Sequence, residues 1–200
     1  MDEKRTEELR GAVLKAYSAA AEHPDGTHPF PVGRKFALSI GYSEELLASL
    51  PGIAVDSFAG VTNLSVSAGI PPKSKVLDLG CGAGLDSLIA ARRAGPDGWV
   101  AGVDFSGSML DRARHAAKEA GLDNVDFYLA DAESLPFPDG LFDVALVNGI
   151  FNLNPRRDKI IRELYRVMKP GGTAFIAEII LKQPLAPAPG EEGSNVNWFA

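Results

Sequence analysis

The sequence predicts an α/β fold built on a doubly wound, mostly parallel sheet, and three observations lead there. From residue 75 onward, short apolar runs alternate with helical stretches. Strand–helix–strand order of this kind folds as right-handed units around a parallel sheet. The apolar runs are nearly continuous, as in strands covered by helices on both faces. The first of them, KVLDL (75–79), runs straight into GCGAG (80–84), where Gly80, Gly82 and Gly84 crowd a turn that opens a helix.

The elements follow in order. Leu9, Val13, Ala16, Tyr17 and Ala20 fall at helical spacing among charges and predict a helix over 3–21. HPDGTHPFPVG (23–33) stops it with prolines and glycines. YSEELLASL (42–50) predicts a short helix with Ser43 as N-cap and Glu44 and Glu45 near its positive end, closed by Pro51 and Gly52. Residues 56–69 read as a weak helix. KVLDL is the first strand, and LDSLIAARRAG (85–95) is a helix closed by Gly95 and Pro96. GWVAGVD (98–104) is a strand, GSMLDRARHAAKEAG (107–121) a helix ending at Gly121, and NVDFYLAD (124–131) a strand. AESLPFPDG (132–140) is too short and too proline-rich for a full helix. LFDVALVNG (141–149) is a strand. NPRRDKIIRELYRVMKPGG (154–172) predicts a helix with Asn154 as N-cap, Pro155 in its first turn and a Lys-Pro-Gly-Gly stop. TAFIAEIIL (173–181) is the last strand. The chain thus divides into a helical segment over 1–70, a core over 71–181 and a proline-rich tail over 182–200.

Composition narrows the function classes. The chain has 200 residues, 46% of them hydrophobic, enough for one sizeable core. A net charge of −6 argues against a domain-wide basic footprint, so no nucleic-acid partner is expected. No apolar run reaches the ~18 residues of a membrane span. MDEKRTEELR at the start lacks the apolar core of a secretory leader. Cys81 is the one cysteine, which excludes an internal disulfide and a cysteine-based zinc site and matches a reducing, cytoplasmic setting.

The glycine turn sits where open parallel sheets bind nucleotides, outside the carboxyl ends of the strands. Glycines there let the backbone approach a ligand closely. Asp104 ends the next strand, 20 residues after Gly84. That is the spacing, ~20 residues, at which an acid takes ribose hydroxyls. The turn reads Gly-x-Gly-x-Gly, with Leu85 where a dinucleotide site has its third glycine, and Asp78 precedes it. A carboxylate beside the turn repels a pyrophosphate and attracts an ammonium. S-adenosylmethionine carries an ammonium and a sulfonium and no phosphate, so it fits this charge better than NAD.

VLDLGCGAGLD, VAGVDFSGSMLDRAR, NVDFYLADAESLPFPDGLFDVALVNGIFNL and RELYRVMKPGGTAF resemble the class I S-adenosylmethionine-dependent methyltransferases. The resemblance is to the arsenite methyltransferase-like branch, near the ubiquinone/menaquinone C-methyltransferases. It is dense over 73–181 and extends more weakly to GYSEELLASLP (41–51). It implies a Rossmann-like sheet and a set of site residues. Gly80, Gly82 and Gly84 would line the methionine part of S-adenosylmethionine, and Asp78 would help hold its ammonium. Asp104 would take the ribose hydroxyls, with Ser106 and Met109 beside the ribose and adenine. Asp131 and Ala132 would meet the adenine edge and ring. Asn148 would face the methyl-transfer region, beside Gly149 and Ile150.

Two departures stand out. The family's arsenic-binding cysteines have no counterpart: SFAGVTNLSVSAG (57–69) holds none, and Gly149 stands at the position after the fourth strand. The family sheet usually ends in an antiparallel strand pair, whereas five strands are read here, so the chain is expected to stop short of that pair.

Methyl transfer from a sulfonium is an in-line displacement that needs chiefly proximity and alignment. No metal is called for. Asn148 and Glu178, the latter late in the last strand at the cofactor edge, are the candidate catalytic residues. His23 and His28 read as solvent-facing residues of a loop, and Tyr17 as a core residue of the first helix. The reading is thus a methyltransferase acting on a small molecule; the alternative is a non-catalytic S-adenosylmethionine-binding module or inactive partner subunit. An uncovered edge strand leaves a homodimer open.

Overall fold

The computed structural model describes residues 3–180. Five parallel strands form its sheet: β1 (Lys75–Leu79), β2 (Trp99–Asp104), β3 (Val125–Leu129), β4 (Phe142–Asn148) and β5 (Met168–Ala177). They lie in the order β3-β2-β1-β4-β5. The strand order reverses between β1 and β4, which makes a crevice at their carboxyl ends the expected ligand site. The α/β class read from the sequence is the class observed.

The helices are α1 (Glu3–Glu22), α2 (Gly33–Ser39), α3 (Glu44–Ala48), α4 (Gly52–Asp56), α5 (Leu64–Ser67), α6 (Leu85–Ala94), α7 (Gly107–Glu119) and α8 (Arg157–Val167). Strand periodicity divides the side chains of β1 between the two faces. Val76 joins an apolar cluster with Leu88 of α6, Ala116 of α7, and Leu47 and Val55 of the N-terminal segment. Leu77 and Leu79 join the opposite cluster with Phe142 of β4 and Ile160 and Leu164 of α8. Asp78 therefore lies on the α6 face, where burial leaves it 2% exposed.

The N-terminal segment departs from expectation in two places. Helix α2 falls in a stretch where no element was expected, because the preceding prolines and glycines mask its start. Pro51 was expected to end a helix with Gly52; instead α3 ends at Ala48 and Pro51 is the N-cap of α4. Ser43 caps α3 as its position predicts, accepting from the Leu46 N–H at 3.2 Å. The weak helix over 56–69 contracts to the single turn of α5.

Two corrections fall in the C-terminal half. Helix α8 begins at Arg157, and Asn154 is not its cap. The Asn154 Oδ1 accepts from the Arg156 N–H at 2.7 Å, and its Nδ2 donates to Glu133 at 3.0 Å, so Asn154 shapes the bend before the helix. The Lys-Pro-Gly-Gly stop lies inside β5, which starts at Met168. Phe142 pairs with Met168 and Val144 with Thr173, so the register shift absorbs the extra residues as a bulge. A bulge is where a strand tolerates a proline, which has no N–H to give the ladder. The tail over 182–200 lies outside the described residues.

Candidate functional site

The turn after β1 is held by the end of β2. The Gly80 and Cys81 N–H groups donate to the Val103 carbonyl at 2.8 and 3.0 Å. Gly80, Gly82 and Gly84 have φ of +78°, +52° and +88°, where an L-residue with a Cβ is strained. At Gly84 a Cβ would also sit 3.0 Å from the Ala113 Cβ, so this glycine lets α6 and α7 approach.

Three carboxylates converge on this turn. Asp104 ends β2, with one oxygen accepting from the Gly82 N–H at 2.9 Å and the other from the Ser106 N–H at 2.8 Å. Burial pushes its pKa up against those bonds. Asp78 accepts from the Ser87 hydroxyl at 2.5 Å. Burial first, then the facing charge of Asp86, raises Asp78 well above the usual carboxylate range, to about 8. Asp86, in the first turn of α6, is 5% exposed. It accepts from the Tyr42 hydroxyl at 2.5 Å, the Asn148 Nδ2 at 2.8 Å and the Ser65 hydroxyl.

The raised Asp78 pKa has a consequence for stability. Between pH ~4 and about 8 the native chain holds a proton at Asp78 that the unfolded chain has lost. This group's contribution is therefore most favourable at low pH and declines as pH rises through that window. Subtracting the urea-unfolding free energies of Asp78→Asn from those of the unsubstituted chain at pH 5 to 8.5 should isolate a downward slope. A difference that stays flat would show Asp78 ionised throughout.

Asn148 ends β4 at the same point. Its Oδ1 accepts from the N–H groups of Val61 (2.9 Å) and Thr62 (3.3 Å), and its Nδ2 also donates to the Thr62 carbonyl at 2.9 Å. The amide is thus committed to bolting the 61–62 backbone to the sheet. Glu178 lies one residue past β5 and accepts from the Phe151 and Asn152 N–H groups at 2.7 and 3.3 Å.

A cavity of about 120 Å³ opens over the turn. Asp78, Gly80, Gly82, Asp104, Met109, Asp131, Ala132 and Asn148 all line it. Gly84 faces α7 instead. Ser106 is fully buried away from the cavity, where its hydroxyl caps α7 through the Met109 N–H at 3.4 Å and meets the Ser18 hydroxyl at 3.1 Å. Glu178 lines a neighbouring cavity rather than this one. The His28 Nε2–H donates to the His23 carbonyl, 2.9 Å away in the same loop.

The sequence reading missed several lining residues. Asp86 carried a visible signal, an acid two residues after the last glycine of the turn. Arg10 carried none, because it reads as one charge in a solvated helix. In the fold, Arg10 forks from α1 onto Asp131 and onto Glu133 at 3.0 Å, 121 and 123 residues away in sequence. Tyr17, read as core, lines the cavity and stacks on Phe30 with ring centroids 4.5 Å apart. Helix α1 thereby roofs the site.

The residues fit S-adenosylmethionine. A loop with three acids close by suits a ligand with an ammonium and a sulfonium. Among the described residues Arg10 is the one Lys or Arg lining the cavity, and two carboxylates already neutralise it. A pyrophosphate would find no free cation there.

Residues 70–198 match a family model described as a methyltransferase domain, and the chain belongs to that family. Among curated relatives it is 36% identical over 145 residues to an arsenite methyltransferase of Halobacterium salinarum, covering 72% of this chain and 37% of that protein. It is 43% identical over 115 residues to a demethylmenaquinone methyltransferase of Listeria welshimeri, covering 57% and 48%. Among solved structures, an arsenic(III) S-adenosylmethionine methyltransferase from Chlamydomonas reinhardtii matches with a TM-score of 0.55 at 31% identity, over 70% of this chain and 46% of that one. The chain spans between about a third and a half of the length of these relatives.

Proposed function

We propose that the chain binds S-adenosylmethionine over the glycine turn and transfers its methyl group to a small molecule. The observation that carries this reading is the convergence of Asp78, Asp86 and Asp104 on a glycine loop with no free cation. When bound, the cofactor supplies an electrophilic methyl on a good leaving group. The protein's part is to hold and align. In this reading Asp78 gives up the proton it holds without the ligand and meets the ammonium, Asp104 the ribose hydroxyls, and Gly80 and Gly82 admit the methionine part. Asp131 and Ala132 face the adenine, with Met109 beneath it. Asn148 acts by fixing the 61–62 backbone beside the transfer region.

The residues of this chain alone do not build a thiolate cage for an arsenic acceptor. Cys81 is the one cysteine, it is buried in the cofactor loop, and burial raises its thiol pKa.

Supplying the purified chain with methyl-labelled S-adenosylmethionine and a panel of small acceptors should release S-adenosylhomocysteine with at least one of them. A folded chain that binds the cofactor yet turns over with none would support the non-catalytic module instead.

Cofactor exchange should be limited by the roof. Arg10, Val13 and Tyr17 of α1 line the cavity, so a ligand entering it passes this helix. Removing the fork with Arg10→Ala should speed S-adenosylhomocysteine association a few-fold in stopped-flow traces, since a partly exposed ion pair of this kind contributes up to ~1 kcal/mol. An unchanged rate would mean that α1 does not gate entry.

A further inference from the structure

The second cavity, about 350 Å³, adjoins the first and shares Tyr17, Ala59, Gly60, Gly149 and Leu153 with it. Its size falls in the range of small-molecule pockets, roughly 300–1,000 Å³. Phe30, Phe36, Ile40, Val61 and Ile179 supply its other apolar walls. The Tyr17 and Phe30 rings lie stacked, and Phe36 stacks on Phe58 at 6.3 Å. Walls of this kind suit a flat apolar body.

The polar groups are few. The Asn152 Nδ2 donates to the Ile179 carbonyl at 2.5 Å. Among the described residues, Glu178 is the one charged side chain of the lining. It accepts from the N–H groups of Phe151, Asn152 and Ile179, and no Lys, Arg or His among the described residues pairs with it. A carboxylate has about four lone-pair sites, so Glu178 retains room to accept from a ligand. The same charge repels an anion, and no cation among the described lining residues offsets that. Tyr17 connects the two cavities physically: both Asp104 and Glu178 act on its phenol.

We infer that this cavity is the methyl-acceptor site, and that it takes a flat, apolar molecule with no negative charge, whose single hydrogen-bond donor faces Glu178. The inference rests on the methyl-transfer reading above and deepens it by naming the acceptor class. The donor is a hydroxyl or an ammonium; both satisfy the carboxylate, and the experiment separates them.

The test uses the whole chain. S-adenosylhomocysteine is titrated first, and that step alone reads the cofactor proposal. Naphthol, naphthylmethylamine and naphthoate are then titrated calorimetrically, with S-adenosylhomocysteine present and absent. These probes share a two-ring body and differ in their polar group. Naphthol or the amine should bind at least about tenfold more tightly than naphthoate, the scale of one charge-assisted contact made or opposed. Whichever of the two binds more tightly identifies the donor. Glu178→Gln should bring the amine and naphthoate affinities together while S-adenosylhomocysteine affinity holds. Phe36→Ala, which leaves Glu178 in place, should weaken all three probes alike. Naphthoate binding as tightly as naphthol and the amine would overturn the inference. So would a cofactor-binding chain that takes none of the probes, or Glu178→Gln preserving the discrimination.

Discussion

Asp104→Ala should weaken S-adenosylhomocysteine binding by at least about a hundredfold. A ribose diol would donate two hydrogen bonds to this carboxylate, and bonds to a charged acceptor contribute ~1.5–3 kcal/mol each. Their loss together amounts to ~3–6 kcal/mol, or two to four orders of magnitude in affinity. The substitution also frees the Gly82 and Ser106 N–H groups that Asp104 now holds. Asp104→Asn therefore belongs beside it: one acceptor oxygen remains, and the affinity should fall between the two. Isothermal titration gives the affinities, and circular dichroism establishes that both variants fold. An alanine variant binding within tenfold of the parent would place the ribose elsewhere.

Asp86→Ala should produce the largest loss of stability. It strips the acceptor from the Tyr42 and Ser65 hydroxyls and the Asn148 amide, all brought there from distant parts of the chain. Breaking a buried charged network of this kind costs ~3–5 kcal/mol. Removing a negative charge that faces Asp78 offsets part of this, but Asp78 relieves that repulsion already by holding a proton. A net loss of about 3 kcal/mol remains, and at roughly 2–4 °C per kcal/mol for a chain of this size the melting temperature should fall by about 10 °C. Tyr42→Phe removes one donor and leaves the acid, and should cost ~1 kcal/mol. The 61–65 backbone should also become a protease site in Asp86→Ala, since Asn148 loses a fixed partner. A variant as stable as the parent would mean that the network contributes no net stability.

What could be read in advance follows from how local each signal is. The strands from Lys75 to Asn148 announce themselves because a strand covered on both faces needs a continuous apolar run, and α6 and α7 because their caps lie in the adjoining residues. The glycine turn and Asp104 are likewise defined by spacing within one strand–helix–strand unit. Helix α2 was hidden by the prolines just before it, and the Lys-Pro-Gly-Gly stretch looked like a stop because a bulge depends on the partner strand. Asp86 was visible as an acid, but its role depends on Tyr42, Ser65 and Asn148 meeting it in space. Arg10 is the extreme case, since nothing near it in sequence indicates that it reaches Asp131. Ser106 sits where its motif places it, yet its hydroxyl serves the cap of α7.

The most direct test of the whole account is a calorimetric titration of the purified chain with S-adenosylhomocysteine, with NAD as the matched control. Three acids around a glycine loop with no free cation among the described residues predict micromolar binding of S-adenosylhomocysteine and none of NAD. Binding of NAD, or a folded chain that binds neither, would contradict it.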